Sequence, residues 1–379
     1  MPKSVKQCWW VKTLKKTHRN KLFVDKWSIE HKKQKNSEET YLEETFIGKV
    51  EMGQCDDQKY LGFTISNSDN NMANIRNVRN KSFGTIKSIL NKLREVKLGK
   101  YHFECGMMFL SIMLRSSISY GSETYYNLKE NELRALERIE ESYMRQLLGT
   151  TKGCPIVQLY LELGHTPARF GIMKLRLYFL KTILEQEKSS LISKFFYLQL
   201  ENLTKSNWAA TCLNNLKEMD INMSIKEIME MTTKRYREMI KTKCNELAFK
   251  YLMNKRGTKG KEIEYRKVQM SQYLLPNTQL EIQDQKKVFE IRNRMTNISE
   301  NYSKQIQNET RCICGEQETM THIYYCKELN DIEPKVKYEN IYEGNIRNMK
   351  LILNRFEQNM NRRNEHHHVI LKCDPPSSV

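Results

Sequence analysis

A chain of 379 residues has room for two or three domains of ordinary size. Its 63 Lys and Arg stand against 45 Asp and Glu, a formal charge of +18 that predicts a polyanionic partner, nucleic acid first and an anionic membrane surface second. No stretch approaches the roughly 20 apolar residues a bilayer span requires, the N-terminus has no apolar signal-peptide core, and ten thinly spread cysteines argue against a secreted disulfide scaffold. These exclusions predict an intracellular protein, nuclear or cytoplasmic, without a membrane role.

Only seven Pro and 15 Gly interrupt the chain, so long helices are expected over a sheet-rich fold. Residues 1–44 form a basic, partly ordered lead-in. It carries eleven Lys and Arg up to Lys35 against Asp25 and Glu30 alone, with no clear apolar period. Residues 45–66 are different. Thr45-Phe46-Ile47 and Tyr60-Leu61-Gly62-Phe63-Thr64-Ile65 are β-branched and aromatic, with Gly53 and Asp56-Asp57 between them. That composition predicts one small β-hairpin.

From about residue 67 to 187 the period becomes helical. Ile75, Val78, Ser82, Ile86, Ile89, Leu90 and Leu93 follow spacings of three and four, with Lys and Arg on the other face. A second helix is expected over 101–118, ending at Tyr120-Gly121. A third carries Leu133, Leu136, Ile139, Tyr143 and Leu147 on one stripe and closes at Gly149. Its other face mixes Glu130, Arg134, Glu137, Arg138 and Glu141, and reads as solvated. Thr166-Pro167 starts a further helix.

A second helical region follows over 188–300. Ser224 and Glu227 form a capping box. Residues 232–253 and 279–295 are helical, separated by the basic glycine loop Lys255-Arg256-Gly257-Thr258-Lys259-Gly260-Lys261. Backbone N–H groups, Lys255, Arg256, Lys259 and Lys261 offer that loop as a phosphate contact. A solvated loop explains it equally, and it lacks Walker spacing.

Residues 301–330 hold the sharpest constellation, with 331–379 left as a tail. Cys312, Cys314, His322 and Cys326 follow C-x-C-x7-H-x3-C. Three thiols and one imidazole match tetrahedral Zn2+, and with all four positions filled the ion would be structural. A chance group of thiols beside a core histidine is the alternative. Asp56-Asp57 invites a two-metal reading, but a plain turn explains it better. Neither an aromatic lead nor a partner aspartate accompanies it.

In this order the pieces resemble the C-terminal part of a non-LTR (LINE-type) retrotransposon reverse transcriptase. The resemblance is carried by Lys59-Tyr60-Leu61-Gly62-Phe63 and Ser119-Tyr120-Gly121-Ser122-Glu123. Leu136-Glu137 through Leu148-Gly149, and then Leu163-Gly164-His165-Thr166-Pro167-Ala168-Arg169, extend it. The run Asp284-Gln285-Lys286-Lys287-Val288-Phe289 leading into the Cys/His cluster completes it. It implies a mainly α fold: a palm-remnant hairpin, a thumb-like helical bundle, a second helical region and a small zinc knuckle. It also implies that Tyr60, Leu61 and Gly62 contact a primer end, and that the partner is RNA or an RNA–DNA hybrid.

The family's catalytic aspartates have no counterpart here, since Asp56-Asp57 sits at the wrong place. The expected function is therefore nucleic-acid binding without polymerisation. Two alternatives stay open. One is the C-terminal half of an active RNA-directed DNA polymerase completed by a separate palm. The other is a helical, zinc-containing protein-interaction adaptor.

Overall fold

A computed structural model describes residues 71–373 except 126–127, 151–152, 205–206, 258–261, 279, 297–310 and 344, together with five strands before residue 71. The chain divides into two compact units, Met1–Gln58 and Lys59–Val379. It is mainly helical.

In the first unit, β1 (His31–Lys33), β2 (Glu43–Ile47) and β3 (Val50–Glu51) form an antiparallel sheet in that order. Its register sets Lys32 opposite Glu44 and Lys33 opposite Glu43. This register gives the basic lead-in a strand that its own pattern does not announce. β4 (Asp57–Tyr60) and β5 (Phe63–Ser66) make a separate two-stranded sheet. The expected single hairpin of 45–47 with 60–65 is therefore corrected. β2 pairs with β1 and β3, and the second run divides around Leu61-Gly62 into its own pair. Short loops close at the least entropic cost, so each run pairs with its nearest neighbour.

In the second unit, α1 (Met72–Val96) buries Ile75, Val78, Ile86, Ile89, Leu90 and Leu93, the stripe read from sequence. α2 (His102–Phe109) runs through a π turn (Leu110–Leu114) into α3 (Arg115–Ser119). α4 (Glu130–Leu148) packs on α1 and is closed by Gly149. α5 (Ile156–Glu162) and α6 (Ala168–Leu184) follow. Next come α7 (Leu191–Glu201), α8 (Trp208–Glu218), α9 (Ile225–Glu230) and α10 (Thr233–Asn254). The Ser224–Glu227 capping box opens α9, with Ser224 N donating to Glu227 Oε2 at 2.7 Å.

Two apolar cores result, and they do not follow the expected boundaries. The second core gathers the C-terminal half of α6 (Leu177, Leu180, Ile183) with Phe196, Cys212, Leu216, Ile228, Tyr236 and Ile240. The other joins α1–α5 and the start of α6 to Leu252, Tyr273, Val288 and Phe289, then to the knuckle residues and Met349, Ile352 and Phe356. Helices α6 and α10 contribute to both, so 67–187, 188–300 and 301–330 are not separate bodies. The expected tail is also corrected: Ile346–Cys373 is a helix whose inner face belongs to the first core.

The face of α4 read as solvated is exposed at Glu130 and Arg138, but Glu137 and Glu141 belong to an internal ion-pair system. Glu132, Glu137, Glu140 and Glu141 are all buried. Arg134 pairs with Glu137 and Glu141, and Arg169 from α6 with Glu130 and Glu137. Arg115 Nε donates to Glu140 Oε1 at 2.8 Å, and its Nη1 donates to Thr166 Oγ1 at 3.2 Å. His165 Nε2 lies 3.2 Å from the same Glu140 oxygen. Most of these arginines arrive from other elements, which a helical wheel of α4 does not show.

Burial pushes the Glu140 carboxyl up, but Arg115 and His165 outweigh it and hold the group below its ordinary 4.5. Burial and Arg115 hold the His165 imidazole below 6.5, so it is neutral and its Nε2–H donates to Glu140. For both groups the unfolded chain binds protons more readily. Their stabilisation is complete above the unfolded values and is lost as pH falls through the folded ones. Melting temperature is thus expected to decline from about pH 6.5 downward, His165 first and Glu140 second. His165→Gln should flatten the upper part of that decline, between about pH 5 and 6.5. An unchanged slope would remove His165 from the linkage.

Gly164 holds φ +66, and a Cβ there would clash with the backbone of Gln269 and Met270. At this crossing Leu163 bridges Met270, and Ser271 N donates to Glu162 O at 2.8 Å. Gly164→Ala is expected to lower stability by about 2 kcal/mol or more, through left-handed strain plus overpacking. A denaturant midpoint shift measures it.

Candidate metal centre

The knuckle is built on two local devices. The first is a turn: Gly315 N donates to Cys312 O at 2.8 Å and Cys312 N to Glu316 O at 2.8 Å. Gly315 takes φ +86 there, a left-handed value that β-carbons disfavour. The turn sets Cys312 and Cys314 side by side. The second is the short helix α12 (Met320–Tyr325), capped by Thr319, whose hydroxyl accepts from His322 N at 2.9 Å. Cys326 N donates to His322 O at 2.7 Å, holding those two residues on one side of the turn.

The four donor atoms lie within 4.8 Å of one another. Cys312 Sγ and Cys326 Sγ are 3.6 Å apart, and Cys314 Sγ is 3.2 Å from His322 Nε2. A tetrahedral zinc with Zn–S near 2.3 Å sets sulfur pairs about 3.8 Å apart and sulfur–nitrogen pairs about 3.5 Å apart. These two edges lie within about 0.3 Å of those values, and all others are at most 4.8 Å, a group that could close on one ion. Glu316 Oε2 lies 3.1 Å from His322 Nδ1, leaving Nε2 to face the thiols. A carboxylate on the far ring nitrogen is the usual device for fixing a ligating histidine.

Cys312 and Cys326 are buried, His322 is half-buried and Cys314 is exposed. Burial pushes the Cys312 thiol up to about 12, with Cys326 beside it opposing ionisation further. Thiolate ligation there therefore needs a cation to replace the protons. Glu316 was not legible as part of the site, because its role depends on the turn that folds 312–316 back.

A long C-terminal helix braces the knuckle. We label it α13 (Ile346–Cys373); α11 is Ile282–Arg292, before the knuckle. Asn359 Nδ2 donates to Ile323 O at 2.7 Å, Arg355 Nε to Tyr324 O at 2.8 Å, and Arg362 Nη1 to Leu329 O. Arg363 holds the buried Glu318 with two bonds of 2.6 and 2.8 Å.

The other expected contact residues are spread elsewhere. Tyr60 ends β4, while Leu61 and Gly62 lie outside the described residues. Lys255 follows α10 and donates to Tyr251 Oη at 2.6 Å, its ammonium 4.4 Å from that ring's centroid. Arg256 Nη2 donates to Ile263 O at 2.6 Å and lies over the Tyr265 ring, which ties it to its own loop. Lys259 and Lys261 lie outside the described residues. Asp57 opens β4, and Asp56 also lies outside them.

The outer face of α1 carries charge of another kind. Between Asn71 and Lys100 stand Arg76, Arg79, Lys81, Lys87, Lys92, Arg94, Lys97 and Lys100 against Glu95 alone, and all eight cations are exposed. Among the described residues, Lys92 with Glu95 is the ion pair recorded on this stretch. The signal was present in the sequence as a basic face, but α4 also showed a charged face, and there Glu137 and Glu141 turn out to be buried and paired with Arg134.

No protein-family model, curated protein or solved structure matches this chain.

Proposed function

We propose that this chain is a nucleic-acid-binding, C-terminal fragment of a non-LTR reverse transcriptase, holding RNA or an RNA–DNA hybrid without polymerising. Its helical body is stapled by one structural Zn2+ on Cys312, Cys314, His322 and Cys326. The observation that carries the binding reading is α1 with the turn that follows it, eight exposed cations and one acid over 71–100, six of the cations on the helix itself. Glu95 is the one acid on this stretch, and the ion pair recorded there among the described residues is Lys92 with Glu95, so the face keeps most of its charge for a partner. Phosphates are the natural partner of such a stripe, because each neutralised phosphate releases condensed counterions.

Electrophoretic binding to RNA and to an RNA–DNA hybrid tests it across a salt series. Affinity should fall steeply with salt, at roughly 0.7 to 0.9 log units per log unit of salt for each phosphate contacted. Absence of binding at low salt rejects the reading. Metal content tests the second half, with one zinc per chain expected.

One observation favours a protein-interaction reading, whether adaptor or partner of a separate palm. Met108, Ile112 and Met113 are exposed along α2 and the π turn. Replacing all three by Ser should then leave nucleic-acid affinity unchanged while abolishing capture of the partner.

A further inference from the structure

We propose that the middle of α1 is a base-stacking platform for single-stranded nucleic acid, centred on Phe83 and Gly84. The proposal rests on the nucleic-acid reading above and names the kind of strand and the mode of contact.

Advancing about 100° per residue, a helix brings Arg76, Arg79, Phe83, Lys87 and Arg94 into one sector. That sector borders the stripe of Ile75, Val78, Ile86, Leu90 and Leu93 that packs into the core, and all five of its side chains are exposed. Phe83 is 46 % exposed in the midst of these cations. An isolated exposed aromatic is ordinary, but two neighbours give this one a purpose. The Arg79 guanidinium lies 5.7 Å from its ring centroid, which orients the ring and leaves its exposed part for another planar group.

Gly84 is the second neighbour. It sits deep inside a 25-residue helix, where glycine is the least favourable residue after proline. Among the described residues a Cβ at Gly84 would meet nothing within 4 Å, so none of them demands a bare backbone there. A ligand lying against Phe83 does gain from it, because the chain can be approached more closely beside the ring. The pairing recurs at the end of the stretch, where Tyr101 is 47 % exposed with Lys100 5.5 Å from its ring centroid.

Base faces are hidden in a duplex and available in a single strand. Aromatic rings interleaved with cations are the usual platform for unpaired bases. The cations track the phosphates while Phe83 takes a base.

The test uses the full chain and a short single-stranded RNA carrying one 2-aminopurine. Binding should quench its fluorescence. Phe83→Ala should weaken binding roughly five- to a hundredfold and abolish the quench, with the salt slope unchanged. Phe83→Trp should preserve both. Gly84→Ala should raise the melting temperature and yet weaken binding. A blunt duplex of the same length should bind more weakly than the single strand.

Equal affinity and equal quench for Phe83→Ala, or a duplex that binds as tightly as the single strand, overturns the stacking proposal alone. A wild-type chain that binds neither RNA nor hybrid at low salt overturns the nucleic-acid reading itself.

Discussion

Removing the proposed Zn2+ from Cys312, Cys314, His322 and Cys326 is expected to loosen α13 as well as the knuckle. The helix is fastened to the knuckle by side chains that bond main-chain carbonyls: Asn359 to Ile323 O, Arg355 to Tyr324 O and Ile332 O, and Arg362 to Leu329 O. Such bonds form only while α12 and the turns after it keep their path. Without a cation, the buried Cys312 and Cys326 sulfurs lose their common bond partner, and the two jaws are held by packing and by weaker contacts such as Glu316 with His322.

Zinc contributes on the order of 10 kcal/mol to the folding of isolated zinc-finger peptides. Here Met320, Ile323 and Tyr324 are also packed into the first core, so the knuckle should not unfold completely. The expected result is local. Hydrogen exchange should speed up over 311–330 and 346–365 on chelation, while α1, α4 and α6 keep their protection. Cys312→Ser and Cys326→Ser should reproduce the effect. Cys314→Ser, at the exposed corner, should weaken metal retention with less loss of protection. Unchanged exchange in α13 after verified metal loss would falsify the coupling.

Arg292→Ala should be the most damaging single substitution outside the knuckle. Arg292 and Glu162 are both buried, with Arg292 Nε 3.3 Å from Glu162 Oε1. Tyr265 Oη donates to the same carboxylate at 2.8 Å, and Ser271 Oγ bonds its other oxygen. The guanidinium also donates to Ile341 O and lies 5.3 Å from the Tyr273 ring centroid. One side chain thus links α5, the 265–273 segment, α11 and the approach to α13.

Deleting it leaves a carboxylate in a dry core with hydroxyl donors alone, a loss of about 3–5 kcal/mol. Against total stabilities of roughly 5–15 kcal/mol, that is a large share. Chemical denaturation followed by circular dichroism measures the loss. The double variant Arg292→Met with Glu162→Leu should recover part of it, because a matched apolar pair leaves no buried charge. Recovery should stay incomplete, since Tyr265, Ser271 and Ile341 would keep unmet polar groups. A loss below 1 kcal/mol for Arg292→Ala would show that water reaches Glu162.

The sequence alone determined the features that depend on near neighbours. The apolar period of α1, the capping box at Ser224 and Glu227, and the Gly149 stop were legible because residues a few positions apart enforce them. The four metal-ligand candidates were legible for the same reason, since a turn at Gly315 and a single helical turn from His322 to Cys326 suffice to gather them. Tertiary structure decided whatever needs a distant partner. Two charged helical faces both read as outward, yet carboxylates of α4 are buried against Arg115, Arg134 and Arg169 while the cations of α1 stay exposed. The strands of 43–66 chose neighbours by loop closure. The supposed tail became a helix because the knuckle offered it carbonyls and an apolar seat, neither of which exists until the chain has folded back.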